Sequence, residues 1–341
     1  MTDLAHPSPA DEARQGLRLP TVVFGAVLLA GLIALPFAAD AVGMNSLISL
    51  GSRVLIYAIA VASLNIALGF GGLVSFGHAA FFGIGAYVVA MLSNHADWGT
   101  PFLGFIPGTN SLILCLLAAM LSAGVAAAII GALSLRTGGI QFIMITLAFG
   151  QMVYFFFTSL SAYGGDDGLM MSGANAFFGL NLRNRTNFYY LCLTISVAGF
   201  WLYWMFMRSS FAAVLDGVRQ SPDRMAALGL APTRHRLVAF ILSGIGTGLA
   251  GGLLANLLRF ASPDTLNWNT SGLLMIMLIL GGVGTLWGPF LGALVILVLE
   301  DVFGAWTENW PLVLGIVLLL VVLNTHGGLV ALIRRLTGGR L

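Results

Sequence analysis

Arg208 to Arg236, RSSFAAVLDGVRQSPDRMAALGLAPTRHR, interrupts an apolar chain with five of the 15 basic residues in the 341-residue sequence. Long runs of Leu, Ala, Gly, Phe and Met flank it, so it reads as a charged loop between membrane-spanning segments. Phe211, Val214, Leu215 and Val218 recur at i, i+3, i+4 and i+7, which predicts that the preceding span continues here as an amphipathic helix. Proline ends it. Ser221 suits an N-cap, Pro222 the first helical position, Asp223 the positive helix end and Gly229 a left-handed C-terminal residue. Pro222 to Leu228 is therefore expected to form a separate helix of about two turns with Met225, Ala226 and Leu228 on its apolar face. So short a helix does not persist alone in water, because nucleation costs more than its few hydrogen bonds return. Two surfaces would hold it: lipid headgroups, which its arginines suit, or a groove on a soluble subunit, to which Arg219, Asp223 and Arg224 offer charge pairs.

The flanking chain sets the solvent. Hydrophobic residues make up 58% of the sequence, charged residues 8%, and the mean hydropathy is +0.96, all far from soluble globular values. No strand-like alternation is present, so the expected class is all-α and polytopic, with about ten transmembrane helices, some short or broken by glycine. Spans are expected near 20–39, 47–69, 72–92, 110–134, 139–161, 187–207, 237–257, 271–286, 289–305 and 310–326. Residues 1–19 read as a polar cytoplasmic tail, 20–330 as the membrane domain carrying the loop 208–236, and 331–341 as a second tail. The run after residue 20 is expected to be a retained anchor rather than a cleaved signal. Arg14, Arg18, Arg136, the loop, Arg334, Arg335 and Arg340 fall on one side, which the positive-inside rule makes cytoplasmic, with both termini. Asp97, Asp166, Asp167, Asp264 and Glu308 fall opposite, with Arg183, Arg185 and Arg259 as exceptions. Cys115 and Cys192 sit in apolar runs without a pairing or metal-ligand pattern. A net charge of +2 gives no sign of nucleic-acid binding.

Two stretches depart from plain lipid-facing helix: GFGGLVSFGHAAFFGIGAY (Gly69 to Tyr87) and GGVGTLWGPFLGA (Gly281 to Ala293). Their glycines permit either close helix packing or a broken helix whose freed backbone lines a polar cavity. Close packing is the preferred reading for most, as at Gly83 with Tyr87 and Gly248 with Gly252. Gly71, Gly72, Gly77, Gly281, Gly282, Gly288 and Pro289 are the candidate breaks, and Gly288-Pro289 forces a tight turn. Polar residues inside spans, Asn65, Ser75, His78, Gln151, Ser243 and Thr247, are candidates for lining a pathway. The hydroxyls of Ser75, Ser243 and Thr247 can instead bond back to the preceding turn. His78 is expected to cap freed carbonyls, whereas the amides of Asn65 and Gln151 are harder to hide. Arg53 is expected to snorkel to headgroups without a function.

The loop resembles the ATPase-contacting signature of permease subunits in ABC importers, which would assign coupling to Asp216, Arg219, Ser221, Pro222, Asp223, Arg224, Met225, Leu228 and Gly229. More narrowly, SFGHAAFFGIGAY, TLAFGQ (Thr146 to Gln151), GGDDGL (Gly164 to Leu169), RQSPDRMAALGL, AFILSGIGTGLAGGL (Ala239 to Leu253) and GGVGTLWGP together resemble the LivM type of branched-chain amino-acid permease, over roughly residues 45–305. Arg219, Gln220, Ser221 and Pro222 stand where that family often has an Arg-Glu-Asn-Glu-like string, so two acidic charges are missing. The resemblance implies alternating access in the inner membrane. Its implied partners are a second, LivH-like permease, two cytoplasmic ATPases holding ATP and Mg, a periplasmic substrate-binding protein and membrane lipid. The chain carries no phosphate-cradling G-x-x-x-x-G-K-[ST] loop, so no nucleotide cofactor is expected on it.

Branched-chain selectivity rests on the resemblance alone, since urea, small amides or aromatic acids would leave a similar trace. An ion-coupled secondary carrier is the alternative class; against it, Glu300 and Asp301, near one outer end, are the acids within the proposed spans. An enzyme ranks last. His6, His78, His95, His235 and His326 stand beside no nucleophile or ligand set, and no catalytic or metal residue is expected.

Overall fold

The computed structural model describes residues 19–44, 46–102, 106–177 and 182–304, with short stretches between 311 and 331. Its helices are α1 (Leu19–Val42), α2 (Ser46–Asn65), α3 (His78–Trp98), α4 (Leu112–Ser134), α5 (Ile140–Ser159), α6 (Arg185–Met207), α7 (Ser210–Gln220), α8 (Pro222–Ala227), α9 (Pro232–Leu258), α10 (Trp268–Gly281) and α11 (Gly288–Gly304). Six of the described helical segments are long and apolar enough to cross a membrane, with α10 and part of α1 as shorter apolar pieces. The chain is thus an all-α, multi-pass membrane protein. The expected tails and the span near 310–326 fall largely outside the described residues.

Lipid offers no hydrogen bonds, so a bundle of this kind is held by close packing of small residues and by internally paired backbone. α3 and α9 form its centre, packed on each other and on α4, with α2 joining α9, α6 and α11. Small residues permit the approach: a Cβ at Gly85 would strike the Gly248 carbonyl, and one at Gly251 would strike that of Phe82. Gly248 and Gly252 face Ala123 and Val89 on neighbouring helices, the close packing expected of them. α1 packs on the flank of this core through Leu28, Leu32, Leu35 and the buried Ala39, and the Tyr189 hydroxyl donates to the Leu32 carbonyl at 2.7 Å.

At the end away from the α7–α8 loop, β1 (Leu169–Met170) pairs antiparallel with β2 (Phe260–Ala261). Asn94 Nδ2 donates to the Met170 carbonyl at 2.8 Å, fixing this cap to α3.

Both glycine-rich stretches are broken. α2 ends in a π-helical turn, Ile66–Phe70, and residues 71–77 are non-helical before α3. The third span therefore begins at His78, not near 72, because Gly72 adopts φ +65°, which a helix cannot continue. α10 ends at Gly281 and α11 starts at Gly288, with Gly282 and Gly284 at positive φ between them. The eighth expected span is correspondingly five residues shorter at its end. Gly72 and Gly282, two of the candidate breaks, take positive φ, as does Gly284, which was not among them.

Candidate coupling site

Residues 208–236 build a small platform. α6 does not run on through it: Arg208 closes α6, and Ser209 turns to an extended conformation. Its hydroxyl accepts from the Ala212 N–H at 3.2 Å and starts α7 as a new helix. Of the predicted apolar face of α7, Leu215 and Val218 are buried and Phe211 and Val214 half-buried, with Ala212 buried beside them. Pro222 opens α8 as expected, but the Ser221 hydroxyl makes no capping bond and the helix ends at Ala227. Gly229 takes φ +82°, its N–H donating to the Ala226 carbonyl at 2.9 Å while the Leu230 N–H reaches Met225 at 3.1 Å. That double bond pattern is a Schellman stop.

Met225 does not face outward with its neighbours. It packs back on α7, where a Cβ at Gly217 would meet its Sδ and Cε at 2.9 Å. Asp223, Arg224, Ala226 and Leu228 remain exposed, and Leu228 shows 75% of its surface. Nothing in α8 is buried.

Arg219 also turns inward rather than toward a partner. One guanidinium nitrogen pairs with Asp216 Oδ1 at 2.9 Å, and another donates to the Gly69 carbonyl at 2.9 Å. Asp216 is buried, and its second oxygen accepts from Gln220 Nε2 at 3.0 Å. A buried carboxylate is tolerated when paired and bonded in this way. Gly72 completes the seat, because a Cβ there would meet the Arg219 side chain at 2.8 Å. α7 is therefore pinned to the first break.

That break meets the second at Asn65. Its Nδ2 donates to the Tyr203 hydroxyl at 2.6 Å and to the Thr285 carbonyl at 3.2 Å, while its Oδ1 accepts from the Gly284 N–H at 2.9 Å. The Tyr203 hydroxyl itself donates to the Thr285 carbonyl at 3.4 Å. Thr285 Oγ1 closes the second turn, donating to the Gly282 carbonyl at 2.8 Å and accepting from the Gly288 N–H at 3.1 Å. At the other end of the first break, Ser271 on α10 donates to the Phe76 carbonyl and accepts from the Ala79 N–H, both at 2.7 Å. Backbone groups freed by a break in a membrane cost about 2–7 kcal/mol if left bare, and these side chains meet that demand.

Most pathway candidates are consumed inside the chain. Asn65, Ser75, His78, Ser243 and Thr247 are all fully buried. Asn65 is a clamp rather than a lining residue. His78 Nε2 pairs with Ser243 Oγ at 2.8 Å, and its ring packs edge-on against Phe81 and Phe240. Ser243 thus faces a partner helix, whereas Thr247 bonds back to the Ser243 carbonyl at 2.8 Å as expected. Ser75 Oγ accepts from the Gly77 N–H at 3.1 Å. Gln151 is half-buried, and its Nε2 finds no partner among the described residues. A cleft of about 490 Å³ lies elsewhere, among Leu112, Leu116, Met120, Tyr190, Leu191 and Leu249, and none of the six candidates lines it. Arg53 does not snorkel freely: it forms an ion pair with Glu300 at 2.9 Å, linking α2 to α11. Tyr203, Thr285, Gly284 and the Arg53–Glu300 pair escaped the sequence reading because their partners lie far off in the chain.

Comparison with known proteins agrees with this architecture. The family described as "Branched-chain amino acid transport system / permease component" matches residues 46–322. The high-affinity branched-chain amino acid transport system permease protein LivM of Salmonella typhimurium is 26% identical, the match covering 94% of this chain and 78% of that protein. LivM of Escherichia coli K12 is similar to the same extent, 26% identical over 94% of this chain and 78% of its own. No solved structure matches significantly. With the family match spanning most of the chain and the two helix breaks and charged loop folded as one unit, this protein belongs to the permease-component family of branched-chain amino acid transport systems.

Proposed function

We propose that the chain is the membrane-spanning subunit of an ATP-driven importer that carries branched-chain or related small amino acids inward by alternating access. It works in the inner membrane with both termini cytoplasmic. Its partners are a second homologous permease, two cytoplasmic ATPases that bind ATP and Mg, and a periplasmic substrate-binding protein. The observation that carries this reading is α8. A six-residue helix too short to persist alone is held at a proline start and a Schellman stop, with Asp223, Arg224 and Leu228 turned to solvent. Such a knob suits a groove on a soluble subunit. Because α7 is bonded to the first break through Arg219, a push on α8 reaches the membrane segments as a rigid-body tilt rather than dissipating in a loop.

An ion-coupled carrier is disfavoured by Glu300, whose charge is matched by Arg53 rather than held for a moving cation. The similarity to the two LivM proteins supports the amino-acid substrate. Reconstitution tests the reading. Uptake into proteoliposomes should require the ATPases, the second permease, the binding protein and ATP together. Uptake driven by a sodium or proton gradient through this chain alone would refute it.

A further inference from the structure

We propose that Asn65 is a positioning residue that locks the two helix breaks into one moving unit, so that displacement of α7 reaches both. The inference rests on the coupling role given to α7 and α8. Asn65 occupies the last α-helical position before the π-turn, a rare helix form frequent at functional sites. All three of its side-chain bonds leave the first break: two reach the second break, at Gly284 and Thr285, and one reaches Tyr203 on α6.

The contact is tight as well as bonded. A Cβ at Gly69 would collide with the Asn65 carboxamide and lie 3.0 Å from the Gly284 nitrogen. Gly69 is also the residue whose carbonyl Arg219 holds. A shift of Arg219 therefore bears on Gly69, Gly69 bears on the Asn65 amide, and the amide carries Gly284 and Thr285 with it. A second route reaches the same amide. Tyr203 lies on α6, whose end at Met207 leads through Ser209 into α7. Loop motion thus arrives at Asn65 from both its flanks.

An amide that merely satisfied broken backbone would affect stability without affecting how hydrolysis is linked to uptake. The assembled importer in liposomes distinguishes the two through two readouts: uptake per ATP hydrolysed, and the ATP-induced change in amide hydrogen exchange over residues 282–288. Asn65→Leu should lower uptake per ATP about tenfold, the scale of a lost buried hydrogen bond, and remove most of the exchange change. Tyr203→Phe should give a smaller loss of the same kind. Ser52→Ala, which removes a hydroxyl bonded only within α2 at Ile48, should match the wild type in both.

An assembled Asn65→Leu complex that keeps the wild-type exchange change, or loses hydrolysis and uptake in parallel, overturns the relay. If Asn65→Leu fails to assemble, Tyr203→Phe decides by the same criteria. Absence of any ATP-induced change at 282–288 in a wild-type importer that couples uptake to ATP would overturn the relay, while loss of ATP-dependent uptake itself in the complete wild-type importer would overturn the coupling reading.

Discussion

Arg219 donates to the carbonyl of Gly69, 150 positions earlier in the chain, at 2.9 Å. The bond turns a charge that looks solvent-bound in the sequence into the anchor of the loop. Its other partner, Asp216, is buried, so the pair cannot be released without stranding a carboxylate in the bundle. What remains outward is α8, joined to α7 through Ser221 and packed on it through Met225. The division of labour follows: α7 grips the membrane segments, and α8 presents Asp223, Arg224 and Leu228.

Gly229 sets the orientation of α8 by backbone conformation rather than space, since a Cβ there would meet nothing within 4 Å. At φ +82°, a β-branched residue costs at least the roughly 1–2 kcal/mol of a left-handed Cβ, whereas Asn tolerates that region. Gly229→Asn is expected to transport near the wild-type rate. Gly229→Val should reduce uptake by the assembled complex several-fold. Uptake assays on the two variants side by side check this.

Ser243→Ala leaves the buried His78 ring without its 2.8 Å partner. The expected loss is about 1–3 kcal/mol of stability, read as a lower unfolding midpoint of the purified protein in detergent. Substrate preference should not change. A shift in selectivity would show that the pair meets the substrate after all.

The Arg53–Glu300 pair is about 30% and 26% exposed, between the surface and buried cases. Removing one partner, as in Arg53→Met, should cost more than removing both in Arg53→Met with Glu300→Leu, because the single change strands a charge. A double-mutant cycle on unfolding should return a favourable coupling of roughly 1 kcal/mol or more. Additive effects would mean that the bond contributes nothing.

Legibility tracked the range of the interaction. The apolar spans could be read because length and composition alone specify a helix in lipid, and α4, α5 and α6 lie within two residues of their expected ends. The ends of α8 could be read because Pro222 acts within its first turn and Gly229 just past its last. Glycine density marked both breaks, but not where α3 resumes, since that depends on Gly72 taking a left-handed turn under Arg219. The role of Asn65 was beyond reach of any local pattern. Its hydroxyl partner Tyr203 stands 138 positions away and its backbone partner Gly284 stands 219 away, so an amide that looked available for solute proves to be spent on the fold.

The claim that α8 is the handle by which a soluble engine drives this permease is tested most directly by Arg224→Glu combined with Leu228→Asp. Both residues are exposed and neither contributes to the Arg219 anchor, so the fold should survive. In liposomes holding the complete importer, uptake should fall by about tenfold or more, as expected when charged and apolar contacts at the centre of a small interface are reversed. Uptake at the wild-type rate by that double variant would contradict the account.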